Sequence, residues 1–115
     1  MLTLFGIKNC DSVKKARKWL EAQSIDYVFH DFRSDGLESA VVETWLDHID
    51  WNLVLNRRST TWKQLSDEQR EGVTRENVTA LLVEFPTLVK RPVAVHKKGI
   101  LVGFKQADYE LLSKS

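Results

Sequence analysis

Two short apolar runs separated by one helix-length segment constrain this chain most. Leu2 to Ile7 is apolar and bounded by a turn signal, the mark of a buried strand. Val13, Ala16 and Leu20 then recur at helical spacing, with Lys14, Lys15, Arg17 and Lys18 on the other faces and Trp19 flanking the apolar stripe. A helix is therefore expected from Ser12 to Gln23. Tyr27 to Phe32 is aromatic and β-branched, and reads as a second strand. Strands joined through a helix run parallel, because a crossover that long replaces the tight hairpin turn, and the crossover is right-handed.

The middle of the chain changes character. Leu37 to Leu46 carries apolar residues at helical intervals, followed by Ile49, Trp51, Leu53, Val54 and Leu55 and then the polar, basic stretch Asn56-Arg57-Arg58-Ser59-Thr60-Thr61. Ser66-Asp67-Glu68-Gln69 and Thr74-Arg75-Glu76-Asn77 both begin like capped helices, the second with Val78, Leu81, Leu82 and Phe85 as its apolar face. Strands return with Arg91 to His96 and Ile100 to Phe104 around the turn Lys97-Lys98-Gly99, an expected antiparallel hairpin. Gln106 to Leu112 closes as a helix. Pro92 donates no ladder hydrogen bond, so it belongs at the first residue of a strand or on an edge. The expectation is one α/β domain over 1–115. Its core, 1–32 and 89–115, forms a four-stranded mixed sheet in the order β-α-β then β-β-α, interrupted by a helical insertion at 37–86.

Composition excludes several classes. With 115 residues, 43% of them hydrophobic, the chain can bury a core, and its formal net charge of +1 gives no global pull toward nucleic acid or membrane. The single cysteine closes no internal disulfide, which fits a reducing compartment. Met1 to Phe5 lacks the basic region and cleavage site of a signal peptide. No apolar run approaches the ~20 residues of a membrane span. A cytoplasmic monomer that binds neither nucleic acid nor membrane is expected.

That cysteine, Cys10, falls between the first strand and its helix, over the first amides of the helix and near Lys8, Lys14 and Lys15. Helix-terminal N–H groups and neighbouring cations favour a thiolate. Free cysteines are also commonly inert packing residues, and on these residues alone the two readings stand level. His30, His48 and His96 are scattered without cysteine or carboxylate at ligand spacing, so no metal site is expected. Trp45, Trp51 and Trp62 read as packing within the insertion, Trp62 also holding the Arg58 loop. The Lys14-Lys15-Arg17-Lys18 run reads as a solvated helix face.

Four segments taken together resemble the arsenate reductase (ArsC) family: Gly6-Ile7-Lys8-Asn9-Cys10-Asp11-Ser12-Val13-Lys14-Lys15-Ala16, Asn56-Arg57-Arg58-Ser59-Thr60-Thr61-Trp62-Lys63, Val89-Lys90-Arg91-Pro92-Val93 and Val102-Gly103-Phe104. They are most similar to the YffB-like branch and more distantly to the Spx regulators. The resemblance implies a thioredoxin-like fold with a helical insertion, and Cys10 as nucleophile. It places Asn9, Asp11, Ser12, Arg58 and Arg91 around an oxyanion or the carboxylates of glutathione, with Pro92 in a cis peptide bond facing the thiol. Glutathione or another small thiol is the implied co-substrate, with no bound cofactor.

Two departures narrow this. The family's reductases carry a third arginine near the last strand, where this chain reads Ile100-Leu101-Val102-Gly103-Phe104-Lys105. One charge-assisted bond fewer costs about 1.5–3 kcal/mol, roughly tenfold to a hundredfold in oxyanion affinity. Three residues after Cys10 stands Val13, so the two-cysteine switch of Spx is impossible here. Asp11 adds a carboxylate that favours the helix start and opposes a thiolate. The expectation is therefore a glutathione-dependent thiol reductase. The alternatives are an Spx-like regulator that binds RNA polymerase, or a thioredoxin-fold interaction module with an inert Cys10.

Overall fold

The computed structural model describes residues 2–113. The chain divides into two compact units, one running through Gly36 and resuming at Arg91, the other Leu37–Lys90.

The first unit begins with β1 (Leu2–Gly6), α1 (Asp11–Ala22), β2 (Tyr27–Asp31) and the helical turn α2 (Phe32–Asp35). In α1, Val13, Ala16 and Leu20 face the sheet at 1% exposure or less. The helix starts one residue earlier than the sequence suggests, because Cys10 is its N-cap and Asp11 its first residue. β2 stops at Asp31 for a local reason. The Asp31 carboxylate accepts from the Arg33 N–H at 2.8 Å, while the Asp31 N–H donates to Asp35 Oδ2 at 3.0 Å, which turns Phe32 into α2 instead of extending the strand.

The second unit holds α3 (Ser39–Leu46), α4 (Trp51–Val54), α5 (Thr60–Gln64), α6 (Asp67–Glu71), α7 (Val78–Glu84) and a 3-10 turn, Pro86–Leu88. Side chains start its short helices: Asp50 caps α4, Ser59 caps α5, and Ser66 with Gln69 forms a capping box on α6. The start expected at Thr74 is delayed to Val78. Asn77 Oδ1 accepts from the Thr74 N–H at 2.8 Å and its amide donates to the Gly72 carbonyl at 2.7 Å, so residues 74–77 form a turn ahead of the helix. Glu43 on α3 ties to α7 through the hydroxyl of buried Thr79, and to Arg75 at 2.9 Å. The unit closes on itself where Leu55 bridges Val89. There the Asn56 N–H donates to the Leu88 carbonyl and the Lys90 N–H to the Val54 carbonyl, each at 2.7 Å.

The first unit then resumes with β3 (Val93–His96), β4 (Gly99–Val102) and α8 (Gln106–Ser113). The sheet order is β2-β1-β3-β4. β1 and β2 are parallel, and β1–β3 and β3–β4 are antiparallel. This is the mixed four-stranded sheet expected of the sequence. β4 ends two residues before Phe104, because Gly103 adopts φ +81° and leaves the ladder. Phe104 instead packs edge-on to Tyr109 at 4.9 Å, and Trp19 of α1 meets Tyr109 at 6.1 Å. Among the described residues, no helix is long and apolar enough to cross a membrane.

Candidate functional site

The site begins with the way β1 hands over to α1. β1 is almost wholly buried and ends at Gly6, where a Cβ would come within 2.7 Å of Val13 Cγ2. The missing side chain lets the first turn of α1 sit directly on the strand. Residues 7–9 make the connection, with Ile7 buried and Lys8 and Asn9 exposed. Cys10 follows in extended geometry, φ −144° and ψ 125°, as the N-cap.

Ordinary N-caps spend their side chain on the helix amides. Cys10 does not: it is a free, half-buried thiol with no side-chain capping bond. The first intrahelical bond is the Lys14 N–H to the Cys10 carbonyl, 2.9 Å. The amides of Asp11, Ser12 and Val13 therefore lie ahead of the helical ladder, at the positive end of the helix dipole. Asp11 and Ser12 are exposed. A sulfur anion at residue 10, or a ligand carboxylate beside it, has these donors for neighbours.

The β1–β3 register brings the next element to the same end of the sheet. Phe5 pairs with Val93, and the antiparallel run continued backwards leads through Pro92 to Arg91 as β1 runs forward through Gly6 to the Cys10 turn. The Arg91–Pro92 peptide bond is cis. Pro92 is buried and Arg91 half-buried. Lacking an N–H, Pro92 enters the hairpin only as an acceptor, its carbonyl taking the Gly103 N–H at 2.8 Å. The Gly103 carbonyl in turn accepts from the Tyr109 hydroxyl at 3.3 Å. Burial, with the nearby Asp108 charge, pushes the Tyr109 phenol far above its usual range, so this donor keeps its proton.

Asn9, Cys10, Asp11, Ser12, Arg91 and Pro92 thus share one end of the first unit's sheet. Arg58 belongs to the second unit, in the turn between α4 and α5. There the Arg58 N–H donates to Asn56 Oδ1 at 3.0 Å, and the Ser59 hydroxyl to the Asn56 carbonyl at 3.0 Å. The two adjacent arginines differ sharply. Arg57 stacks over Trp51 (5.6 Å) and Trp62 (5.7 Å) and donates to Asn52 Oδ1 at 2.7 Å. Arg58 is exposed, and its guanidinium bonds to no described residue. Sequence reasoning missed the stacking of Arg57, although a tryptophan six residues before it and another five after it were a visible signal. His30 accounts for itself internally, one ring nitrogen meeting the Gly36 carbonyl at 2.7 Å and the ring lying 5.0 Å from Phe5. Among the described residues no cluster of three or more His, Cys, Asp or Glu side chains could hold a metal.

A lone thiol on the N-cap residue of the first helix, with a cis-proline leading into the third strand of a β2-β1-β3-β4 sheet, defines a thioredoxin-like α/β protein. The ArsC family pattern matches residues 5–112, and the chain belongs to the ArsC family. It is similar to a solved YffB protein at 35% identity and TM-score 0.92, over 96% of this chain and 97% of that one. An arsenate reductase (ArsC) related protein from Brucella melitensis is 41% identical with TM-score 0.76, covering 99% and 95% of the two chains. The regulatory protein MgsR of Bacillus subtilis is 31% identical, over 98% of this chain and 90% of its own.

Proposed function

We propose that the chain is a glutathione-dependent thiol reductase with Cys10 as its single nucleophile. The observation that carries this reading is the uncommitted thiol at the N-cap of α1. The Cys10 thiolate attacks the glutathionyl sulfur of a mixed disulfide R–S–S–G. The R–S bond breaks, R–S⁻ leaves and takes a proton, and Cys10 becomes S-glutathionylated. A second glutathione thiolate then attacks the glutathionyl sulfur, releasing glutathione disulfide and returning Cys10 as the thiolate. The net exchange consumes one glutathione thiol for each R–S⁻ released and moves the disulfide bond from R–S–S–G to glutathione disulfide, so no further reductant is needed.

The amides of Asp11 and Ser12 and the positive end of α1 favour the anionic sulfur at each exchange. Arg91 binds a glutathione carboxylate through its planar fork, Asn9 orders the approach to the thiol, and Pro92 shapes that end of β3. Arg58, in the second unit, is assigned a carboxylate-binding role of its own on the strength of its motif and its open guanidinium. With no arginine in Ile100 to Lys105, reduction of arsenate is not assigned.

Mass spectrometry of the reduced chain with glutathione disulfide at pH 7 tests the reading. One glutathionyl adduct is expected on Cys10, formed faster than in the urea-unfolded chain and reversed by glutathione. An adduct that forms only after unfolding overturns the proposal.

A second reading, a regulator that binds RNA polymerase, is favoured by the likeness to MgsR at 31% identity. Pull-down on the immobilised chain decides it: recovery of polymerase by wild type and Cys10→Ser alike supports a regulator, and its absence removes that reading.

A further inference from the structure

We infer that Arg57 is a positioning residue for Arg58: its stacked guanidinium fixes the Asn56–Ser59 turn so that Arg58 meets a carboxylate already ordered. This rests on the glutathione reading of Arg58 given above. Two adjacent arginines in one exposed turn have opposite fates. Arg57 lies over the rings of Trp51 and Trp62 at 5.6 and 5.7 Å, and its Nη2 donates to Asn52 at 2.7 Å. Trp51 and Asn52 belong to α4 and Trp62 to α5, so one planar cation joins the two helices that flank the turn.

The backbone is fixed from the other side. Asn56 receives the Arg58 N–H on its side chain and the Ser59 hydroxyl on its carbonyl, and its own N–H is anchored on Leu88 at 2.7 Å. Ser59 Oγ then caps α5 through the Trp62 N–H at 3.1 Å. Each neighbour of Arg58 in the turn is thereby committed within the unit, and the Arg58 guanidinium alone faces outward without a described partner. An arm already ordered loses less freedom on binding, and the ligand binds more tightly for it. A lysine at 57 would keep the charge and lose the flat surface that two indole rings recognise.

The test is NMR and calorimetry on the full chain, with reduced glutathione as the probe. The backbone heteronuclear NOE of Arg58 reads order, and its side-chain Nε–H resonance reads binding. Arg57→Ala should lower the Arg58 NOE and raise the half-saturating glutathione concentration about three- to tenfold, with the rest of the spectrum still dispersed. Arg57→Lys should keep the fold without restoring affinity. In the Arg58→Ala background, Arg57→Ala should add nothing to the calorimetric loss. If Arg57→Ala does not fold, Trp51→Phe weakens the same stacking and should move both readouts the same way by less. An unchanged Arg58 NOE, or losses that add in the double variant, overturns the inference and leaves the chemistry of Cys10 standing. A wild-type Arg58 resonance that ignores glutathione instead overturns the binding role of Arg58, while the NOE still decides whether Arg57 orders the turn.

Discussion

Val13 occupies the space that a side chain on Gly6 would need: a Cβ there would lie 2.7 Å from Val13 Cγ2. The first turn of α1 comes close to the end of β1 here, three residues after Cys10. Gly6→Ala should therefore cost about 1–3 kcal/mol, measured by urea unfolding. Combining it with Val13→Ala should recover part of that loss, because the two changes share one contact. Full additivity would show that the helix seats elsewhere.

Cys10→Ser separates chemistry from architecture. The serine hydroxyl is a preferred N-cap, able to accept from the amides of the first turn that the thiol leaves alone. The variant should lose every glutathionyl adduct while holding stability or gaining up to about 1 kcal/mol. A loss of several kcal/mol in denaturant melts would mean that the thiol is a packing residue.

Arg91 should act on binding through the shape of its head group as well as its charge. Arg91→Ala is expected to weaken glutathione roughly tenfold to a hundredfold, the worth of about 1.5–3 kcal/mol for a charge-assisted bond. Arg91→Lys should restore little of it, since an ammonium cannot grip a carboxylate with two parallel N–H bonds. Calorimetric titration of the three chains decides the matter, and equal affinities would remove Arg91 from the site.

Acid should loosen the α3–α7 tie in a definite window. Arg75 and then Thr79 hydrogen-bond the Glu43 carboxylate and hold its pKa below the ordinary value of 4.5. A carboxyl group depressed by folding stabilises the native state at pH values above its unfolded pKa, and that support fades as pH falls through the native one. Glu43→Gln should melt below wild type at pH 7, with the gap narrowing below about pH 4.5. A gap that stays constant into acid would exclude the charge as its source.

Local patterns made much of the fold legible. Val13, Ala16 and Leu20 announce the buried face of α1, Ser66 with Gln69 spells out a capping box, and Lys97-Lys98-Gly99 marks the hairpin turn. The elements that moved did so where a side chain overruled its neighbourhood: Asp31 cut β2 short, and Asn77 folded back on Thr74. Glu43 meets Arg75 and Thr79 across separations of 32 and 36 residues, pairings that no periodicity encodes. At the candidate site, the strand-to-helix turn around Cys10 could be read from local sequence. The different fates of Arg57 and Arg58 were legible only in part: the flanking tryptophans stand in the sequence, but their meeting over Arg57 and not Arg58 is decided when α4 and α5 have formed.

Val13, not a cysteine, fills the third position after Cys10, and these 115 residues contain no other sulfhydryl. A protein with two neighbouring thiols oxidises by a ring closure whose midpoint does not depend on how concentrated the protein is. Here every disulfide joins two molecules, and exchange with glutathione disulfide forms one mixed disulfide and releases one glutathione. The mixed-disulfide share therefore follows the ratio of glutathione disulfide to glutathione and holds when both are diluted together, whereas a vicinal dithiol, which releases two glutathiones as its ring closes, becomes more oxidised on that dilution.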